Sequence, residues 1–116
     1  MATLLYVEDH PPARLLMQAI VSDMTAHTLL LAESAEAARA VAADAQPDLY
    51  ILDLDLPDGD GQTLARQLCA LHPAPVILVS AYAEAVDAAG LDGITYLAKP
   101  LDPENVARTI QRTLAG

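Results

Sequence analysis

The chain predicts an α/β fold in which one doubly wound parallel sheet carries helices on both faces. Three observations lead there. Five short apolar runs, near residues 3–7, 27–32, 48–53, 75–80 and 93–97, alternate with segments of helical periodicity. The runs are apolar throughout rather than at every second residue, as strands covered on both faces are. Regular β-α alternation then calls for a parallel sheet with the helices packed on it.

The first run, Thr3-Leu-Leu-Tyr-Val7, gives way to the acidic pair Glu8-Asp9. Pro11 and Pro12 suit the first turn of the helix that follows, where a missing N–H costs nothing. In that helix Ala13, Leu16, Met17, Ile20 and Val21 recur at i, i+3, i+4, i+7 and i+8, the spacing of one buried stripe. After the second run Ser34 is the N-cap of an alanine-rich helix, alanine being the strongest helix former. The third run ends at Asp53, inside the loop Leu52-Asp-Leu-Asp-Leu-Pro-Asp-Gly-Asp-Gly61. A third helix spans Gln62 to Leu71 and stops before Pro73, because the residue ahead of a proline is pushed out of helical geometry. The fourth run, Pro75-Val-Ile-Leu-Val79, ends in Ser80, and a short fourth helix falls between Tyr82 and Ala89. The fifth run leads to Lys99-Pro100. A last helix takes Asp102 as N-cap and Pro103 as its first residue, with Val106, Ile110 and Leu114 on one face.

With 116 residues the chain is expected to form one domain, residues 1–116, around a single core. Trp and Phe are absent, so Leu, Val, Ile, Ala and a few Tyr must fill that core. A formal net charge of -10 argues against nucleic acid or an anionic membrane as partner, since both need clustered Lys and Arg. Cys69 is the only cysteine, which rules out an intrachain disulfide and fits a reducing compartment. No basic segment precedes the first apolar run, and no run approaches the roughly 20 residues of a membrane span. The expectation is a soluble, cytoplasmic protein.

In an open α/β sheet, side chains that do chemistry gather at the carboxyl ends of the strands. Glu8, Asp9, Asp53, Ser80 and Lys99 all fall there. Lys99 is the only lysine, and the acidic loop beginning at Asp53 is its best partner. Three carboxylates brought together repel one another and require a proton or a hard divalent cation. Oxygen donors with no Cys or ligand-spaced His favour magnesium over zinc. Taken singly the residues have plainer readings: Glu8-Asp9 a solvated turn, Ser80 a strand end, Tyr96 a core residue, and Pro57, Gly59 and Gly61 turn formers. His10, His27 and His72 show no metal-ligand spacing and fit surface or helix-start roles, with His10 adjacent to the site.

Together these motifs make the chain resemble a receiver domain of the two-component response regulators over its whole length. They are Glu8-Asp9 after the first strand, Asp53 with Pro57 and Gly61 in the next acidic loop, Ser80-Ala81, and Lys99-Pro100. The resemblance implies a flavodoxin-like sheet of strand order 2-1-3-4-5 flanked by five helices. It implies that Asp53 is the phosphoacceptor, a nucleophile that becomes an acyl phosphate while Lys99 offsets charge. The implied cofactor is Mg2+, with Mn2+ as substitute, contacted by Asp9, Asp53 and the backbone carbonyl of Asp55, and by Glu8 through water. Ser80 would donate its hydroxyl to the phosphoryl group and Tyr96 would change rotamer with it, altering the face built from the fourth helix, fifth strand and fifth helix. Such a domain is not an enzyme in its own right but assists its own phosphorylation and dephosphorylation. The implied partner is a histidine kinase or histidine phosphotransfer protein, docking near Pro11 to Leu16 and the loop after Lys99, and a homodimer can form on phosphorylation.

Two features depart from the family pattern. The stretch between Ser80 and Lys99 is short, so the fourth helix is expected to be a single turn or displaced. Asp55 and Tyr82, each two residues beyond a site position, flank the phosphoryl group, and Tyr82 is expected to screen attacking water. The competing enzyme reading starts from Asp53-Leu-Asp55, which also resembles the nucleophile and acid of haloacid-dehalogenase-like phosphohydrolases. That family takes its other metal carboxylates from beyond the lysine, whereas here they are at the N-terminus. The alternative reading is a phosphate-independent pseudo-receiver, a binding module of the same fold; such domains usually lose the acceptor, the metal pair or the lysine, and all are present here. A calcium loop from Asp53 to Thr63 fails because Pro57 and Asp58 stand where an acidic ligand and the turn glycine are needed. No effector domain follows in this sequence, which leaves a stand-alone receiver or a piece of a larger regulator, hybrid kinase or signalling enzyme.

Overall fold

Each apolar run becomes a strand of one parallel sheet, as its unbroken hydrophobicity requires. The computed structural model describes residues 1–81 and 95–115. In order they form β1 (Thr3–Val7), α1 (Pro11–Met24), β2 (Thr28–Ala32), α2 (Ala35–Ala45), β3 (Leu49–Asp53), β4 (Asp55–Leu56), β5 (Gly59–Asp60), α3 (Gly61–Leu71), β6 (Val76–Ser80), β7 (Thr95–Ala98) and α4 (Pro103–Ala115). The main sheet has the order β2-β1-β3-β6-β7, all parallel, which is 2-1-3-4-5 when its own strands alone are counted. Four helices flank it among the described residues. The fourth helix expected between Tyr82 and Ala89, and Tyr82 itself, lie outside the described residues. No described helix is long and apolar enough to cross a membrane.

Strand alternation sorts the core into two layers. Leu4, Tyr6, Leu49, Ile51, Ile77, Val79 and Leu97 face α1 and α4, against Met17, Ile20, Val21, Val106 and Ile110. Leu5, Val7, Tyr50, Leu52, Val76 and Leu78 face α2 and α3, against Ala38, Ala42, Leu64 and Leu68. Each fully buried Leu or Ile contributes about 1.5–3 kcal/mol relative to exposure. The alanine stripe of α2 lets that helix lie close to the sheet. One expectation needs correction: Leu16 is not part of the core stripe of α1 but is 39% exposed, because it sits at the open end of the helix near the site rather than over a strand.

Helix ends follow the expected caps at Ser34, whose Oγ accepts from the Ala37 N–H at 3.1 Å, and at Asp102, whose carboxylate accepts from the Asn105 N–H at 3.0 Å. Three features were not foreseen. The helix predicted from Gln62 begins at Gly61, with Asp60 as N-cap accepting from the Thr63 N–H at 2.8 Å. The acidic loop folds into a short hairpin, β4 against β5. That hairpin aims Asp58 at α2, where its two oxygens accept from the Ala35 and Glu36 N–H groups at 2.8 and 3.0 Å. Ser34 and Asp58 together satisfy the first three N–H groups of α2, which have no partner within the helix.

Candidate functional site

The phase of strand alternation decides which strand-end residues meet. Glu8 and Lys99 continue their ladders by one residue, through Glu8 N–H to the Ala32 carbonyl at 3.0 Å and Lys99 N–H to the Ser80 carbonyl at 2.8 Å. Glu8 therefore shares a face with Leu4 and Tyr6, Asp53 with Leu49 and Ile51, and Lys99 with Leu97. All three side chains rise over the α1 and α4 side of the sheet edge. Ser80 and Tyr96 belong to the opposite phase, the first in line with Val76 and Leu78, the second paired with Leu78 in the register and packed on the α2 and α3 layer.

Lys99 Nζ lies 2.5 Å from Glu8 Oε1 and 3.0 Å from Asp53 Oδ2. The long side chain crosses over β6 to do this, since β7 and β3 stand two strand spacings apart, about 10 Å. Glu8 is fully buried and Asp53 nearly so, while Asp9 is exposed. One carboxylate oxygen from each of Glu8, Asp9 and Asp53 falls in a cluster with all three within 4.8 Å of one another. Asp53 Oδ1 accepts from the Asp55 N–H at 3.0 Å, and the Asp55 side chain is exposed.

One lysine for two buried carboxylates is too little positive charge, and the protonation behaviour reflects this. Burial, then the neighbouring Asp53, pushes the Glu8 carboxyl up to about 7 against the pull of Lys99. Burial acts on Asp53 too, but hydrogen bonds from the Glu8 carboxyl, the Asp55 N–H and Lys99 outweigh it and hold Asp53 below its ordinary value. Lys99, although burial opposes its charge, is held above its ordinary value by Glu8 and Asp53. A proton on Glu8 thus lowers the negative charge of the group, as a cation would. Glu8 Oε2 is buried with no hydrogen-bond partner among the described residues. The oxygen-only donor set and this orphaned atom fit a hard divalent cation.

Sequence reasoning placed Glu8, Asp9, Asp53, Ser80 and Lys99 at strand ends, and the structure brings Glu8, Asp53 and Lys99 into contact with Asp9 alongside. Asp53 was the expected partner of Lys99; Glu8 is a second one that the sequence did not disclose. Ser80 is buried at the end of β6. The hydroxyl of Tyr96 is buried and has no hydrogen-bond partner among the described residues. Two further residues hold the site. Tyr6 donates its hydroxyl to Glu8 Oε1 at 3.2 Å, and Arg14 Nη1 donates to the Glu8 carbonyl at 2.8 Å. Tyr6 was legible in principle, because residues i and i+2 of a strand share a face. Gly61 proves to be more than a turn former: a Cβ there would lie 2.5 Å from the Asp53 carbonyl oxygen, so α3 seats against the end of β3 only through a glycine. His10 stands at the start of α1 without a side-chain cap bond.

Comparison with known proteins agrees with this arrangement. Residues 4–111 match the family described as response regulator receiver domain. The transcriptional regulatory protein CreB of Escherichia coli K12 is 46% identical over 72 residues, 59% of this chain and 31% of CreB. The phosphate regulon transcriptional regulatory protein PhoB of Pseudomonas aeruginosa is 30% identical, covering 97% of this chain and 51% of PhoB. The chain thus spans about a third to a half of the length of these curated relatives. A CheY-like receiver domain protein from Methanospirillum hungatei JF-1 shares the fold, with a TM-score of 0.85, 24% identity and coverage of 99% of this chain and 94% of that one. By sequence match, sheet order and the acidic cluster at the sheet edge, the chain belongs to the response regulator receiver domains of two-component systems.

Proposed function

We propose that this receiver accepts a phosphoryl group on Asp53 from the phosphohistidine of a histidine kinase or histidine phosphotransfer protein. The observation that carries the proposal is the placing of Asp53: a nearly buried carboxylate, kept ionised, with Lys99 Nζ 3.0 Å from one oxygen and the carboxylates of Glu8 and Asp9 beside it. A carboxylate oxygen of Asp53 attacks phosphorus in line, forming an O–P bond as the donor's N–P bond breaks. The leaving imidazole keeps the electron pair and takes up a proton. Lys99 leaves its carboxylate partners for the phosphoryl oxygens and offsets their charge. Glu8, Asp9, Asp53 and the Asp55 carbonyl would hold Mg2+, or Mn2+ in its place. When bound, the cation neutralises the carboxylates and charge on the phosphoryl oxygens.

Ser80 supplies a hydroxyl to the phosphoryl group in this reading, and Tyr96 answers its movement. The hydroxyl of Tyr96, buried without a partner among the described residues, supports this, because a buried donor without an acceptor gains by finding one. The donor protein docks over a groove of about 440 Å³ beside the site, lined by His10, Pro12, Ala13, Leu16, Lys99 and Pro100 among others. Its apolar walls and half-exposed Leu16 suit the helix that would present a phosphohistidine.

The test is intact mass after incubation with acetyl phosphate, with and without magnesium, for wild type and Asp53→Asn. A magnesium-dependent gain of one phosphoryl group, absent from the variant, is expected. No gain under any condition would replace the proposal with a phosphate-independent binding module. Sustained phosphate release without an adduct would replace it with the phosphohydrolase. For docking, Leu16→Arg is expected to slow transfer from a phosphohistidine donor while leaving acetyl phosphate labelling intact; equal transfer would overturn the docking surface.

A further inference from the structure

Glu8 is tied down at almost every polar atom. Its N–H bonds to the Ala32 carbonyl, its own carbonyl accepts from Arg14 at 2.8 Å, and Oε1 accepts from both Lys99 and Tyr6. Among the described residues Oε2 is left without a partner. Tyr6 is fully buried on β1 among the residues facing α1 and α4, a position that phenylalanine would fill without a polar atom to satisfy.

We propose that Tyr6 is a positioning residue for the divalent-cation site: its hydroxyl fixes the Glu8 carboxylate through Oε1 and so leaves Oε2 presented to the cation. The proposal rests on the receiver reading above. That reading also shows why one donor is not enough. Once Lys99 turns to a phosphoryl group, Tyr6 is the remaining described donor on Oε1, and without it the carboxylate is free to rotate away. At 3.2 Å the bond is long for a hydroxyl donor, which places the effect at the low end for residues that orient metal ligands, roughly tenfold in affinity.

The experiment is calorimetric titration of Mg2+ into wild type, Tyr6→Phe, Glu8→Ala and the double variant, with melting followed by circular dichroism on the same samples. Tyr6→Phe is expected to bind Mg2+ roughly tenfold more weakly, and to lose no further affinity in the Glu8→Ala background. Affinity equal to wild type, or the same loss with Glu8 absent, would overturn the proposal and leave Tyr6 as a packing residue. A second readout needs no variant: the ring resonances of Tyr6 in labelled wild type should shift with Mg2+ and saturate together with the calorimetric binding. Resonances unmoved at saturation would count against it equally. Wild type that takes up no Mg2+ would overturn the receiver reading itself, an outcome distinct from normal binding by both proteins.

Discussion

Replacing Gly61 with alanine measures how closely α3 must approach the strand that carries Asp53. The added Cβ would lie 2.5 Å from the Asp53 carbonyl oxygen and 3.1 Å from both its carbonyl carbon and Leu54 Cα. All three are backbone atoms and none can swing aside. Restoring an ordinary C···O contact of about 3.3 Å means that the start of α3 or the end of β3 retreats by roughly 0.8 Å, which also strains the bond from the Gly61 N–H to the Leu54 carbonyl. Overpacking of this kind costs about 1–3 kcal/mol, and the better helix propensity of alanine returns at most about 1 kcal/mol. Because every close contact is with backbone, the cost falls in the upper part of that range, about 2–3 kcal/mol, and the net loss is about 1–2 kcal/mol, or a fall in Tm of about 4–8 °C for a domain of this size. Urea unfolding and thermal melting read this directly. Gly59→Ala is the control, since nothing lies within 4 Å of a Cβ there, and it should stay within about 0.5 kcal/mol of wild type. Because the retreat moves the Asp53 main chain, acetyl phosphate labelling should also slow in Gly61→Ala and not in the control. Equal stability for the two variants would refute the steric argument.

Three further perturbations separate the electrostatic contributions. Lys99→Met removes the cation that holds Glu8 Oε1 and Asp53 Oδ2; Mg2+ binding should tighten severalfold while phosphorylation slows at saturating metal, and parallel loss of both would show that the lysine supports the metal site instead. In metal-free protein Glu8 takes up its proton more readily folded than unfolded, so its contribution to stability is greatest below about pH 4.5 and is lost as pH rises through about 7. Urea midpoints of wild type minus Glu8→Gln should decline across that window, and a flat difference would disprove the raised Glu8 carboxyl. Asp58 is held below its ordinary value by the Ala35 and Glu36 N–H groups, so its contribution is present above the unfolded value and lost as pH falls through the folded one. Asp58→Ala should lower Tm at neutral pH and leave it unchanged in acid; a loss that persists in acid would point to hairpin packing rather than to the cap.

Much of this was readable in the chain because it depends on near neighbours. Ser34 and Asp102 cap their helices as expected, since an N-cap acts across three residues. The unbroken runs fixed both the strands and their parallel pairing, as only strands covered on both faces can be apolar throughout. Asp60 and Asp58 show where such reading stops. Asp60 was hidden in a loop that already explained its glycines and proline, and Asp58 bonds to α2 across a sequence separation of 22 or 23 residues. Leu16 fits the helical stripe by spacing, yet the stripe does not reveal where the sheet beneath it ends.

By itself, the sequence determined the kind of site: carboxylates, a hydroxyl and one lysine at strand ends, with oxygen donors suited to a hard cation. Only the tertiary structure decided which of these groups touch. Strand order places β1 next to β3, and the two-residue period turns Glu8, Asp53 and Lys99 to one side and Ser80 and Tyr96 to the other. Lys99 then meets Glu8 as well as Asp53, Tyr6 donates to Glu8, and Gly61 lets α3 close on the end of β3. Those contacts join strands that are far apart in sequence. Their energies come from burial and charge at distances of a few ångströms, and chain spacing does not encode such distances.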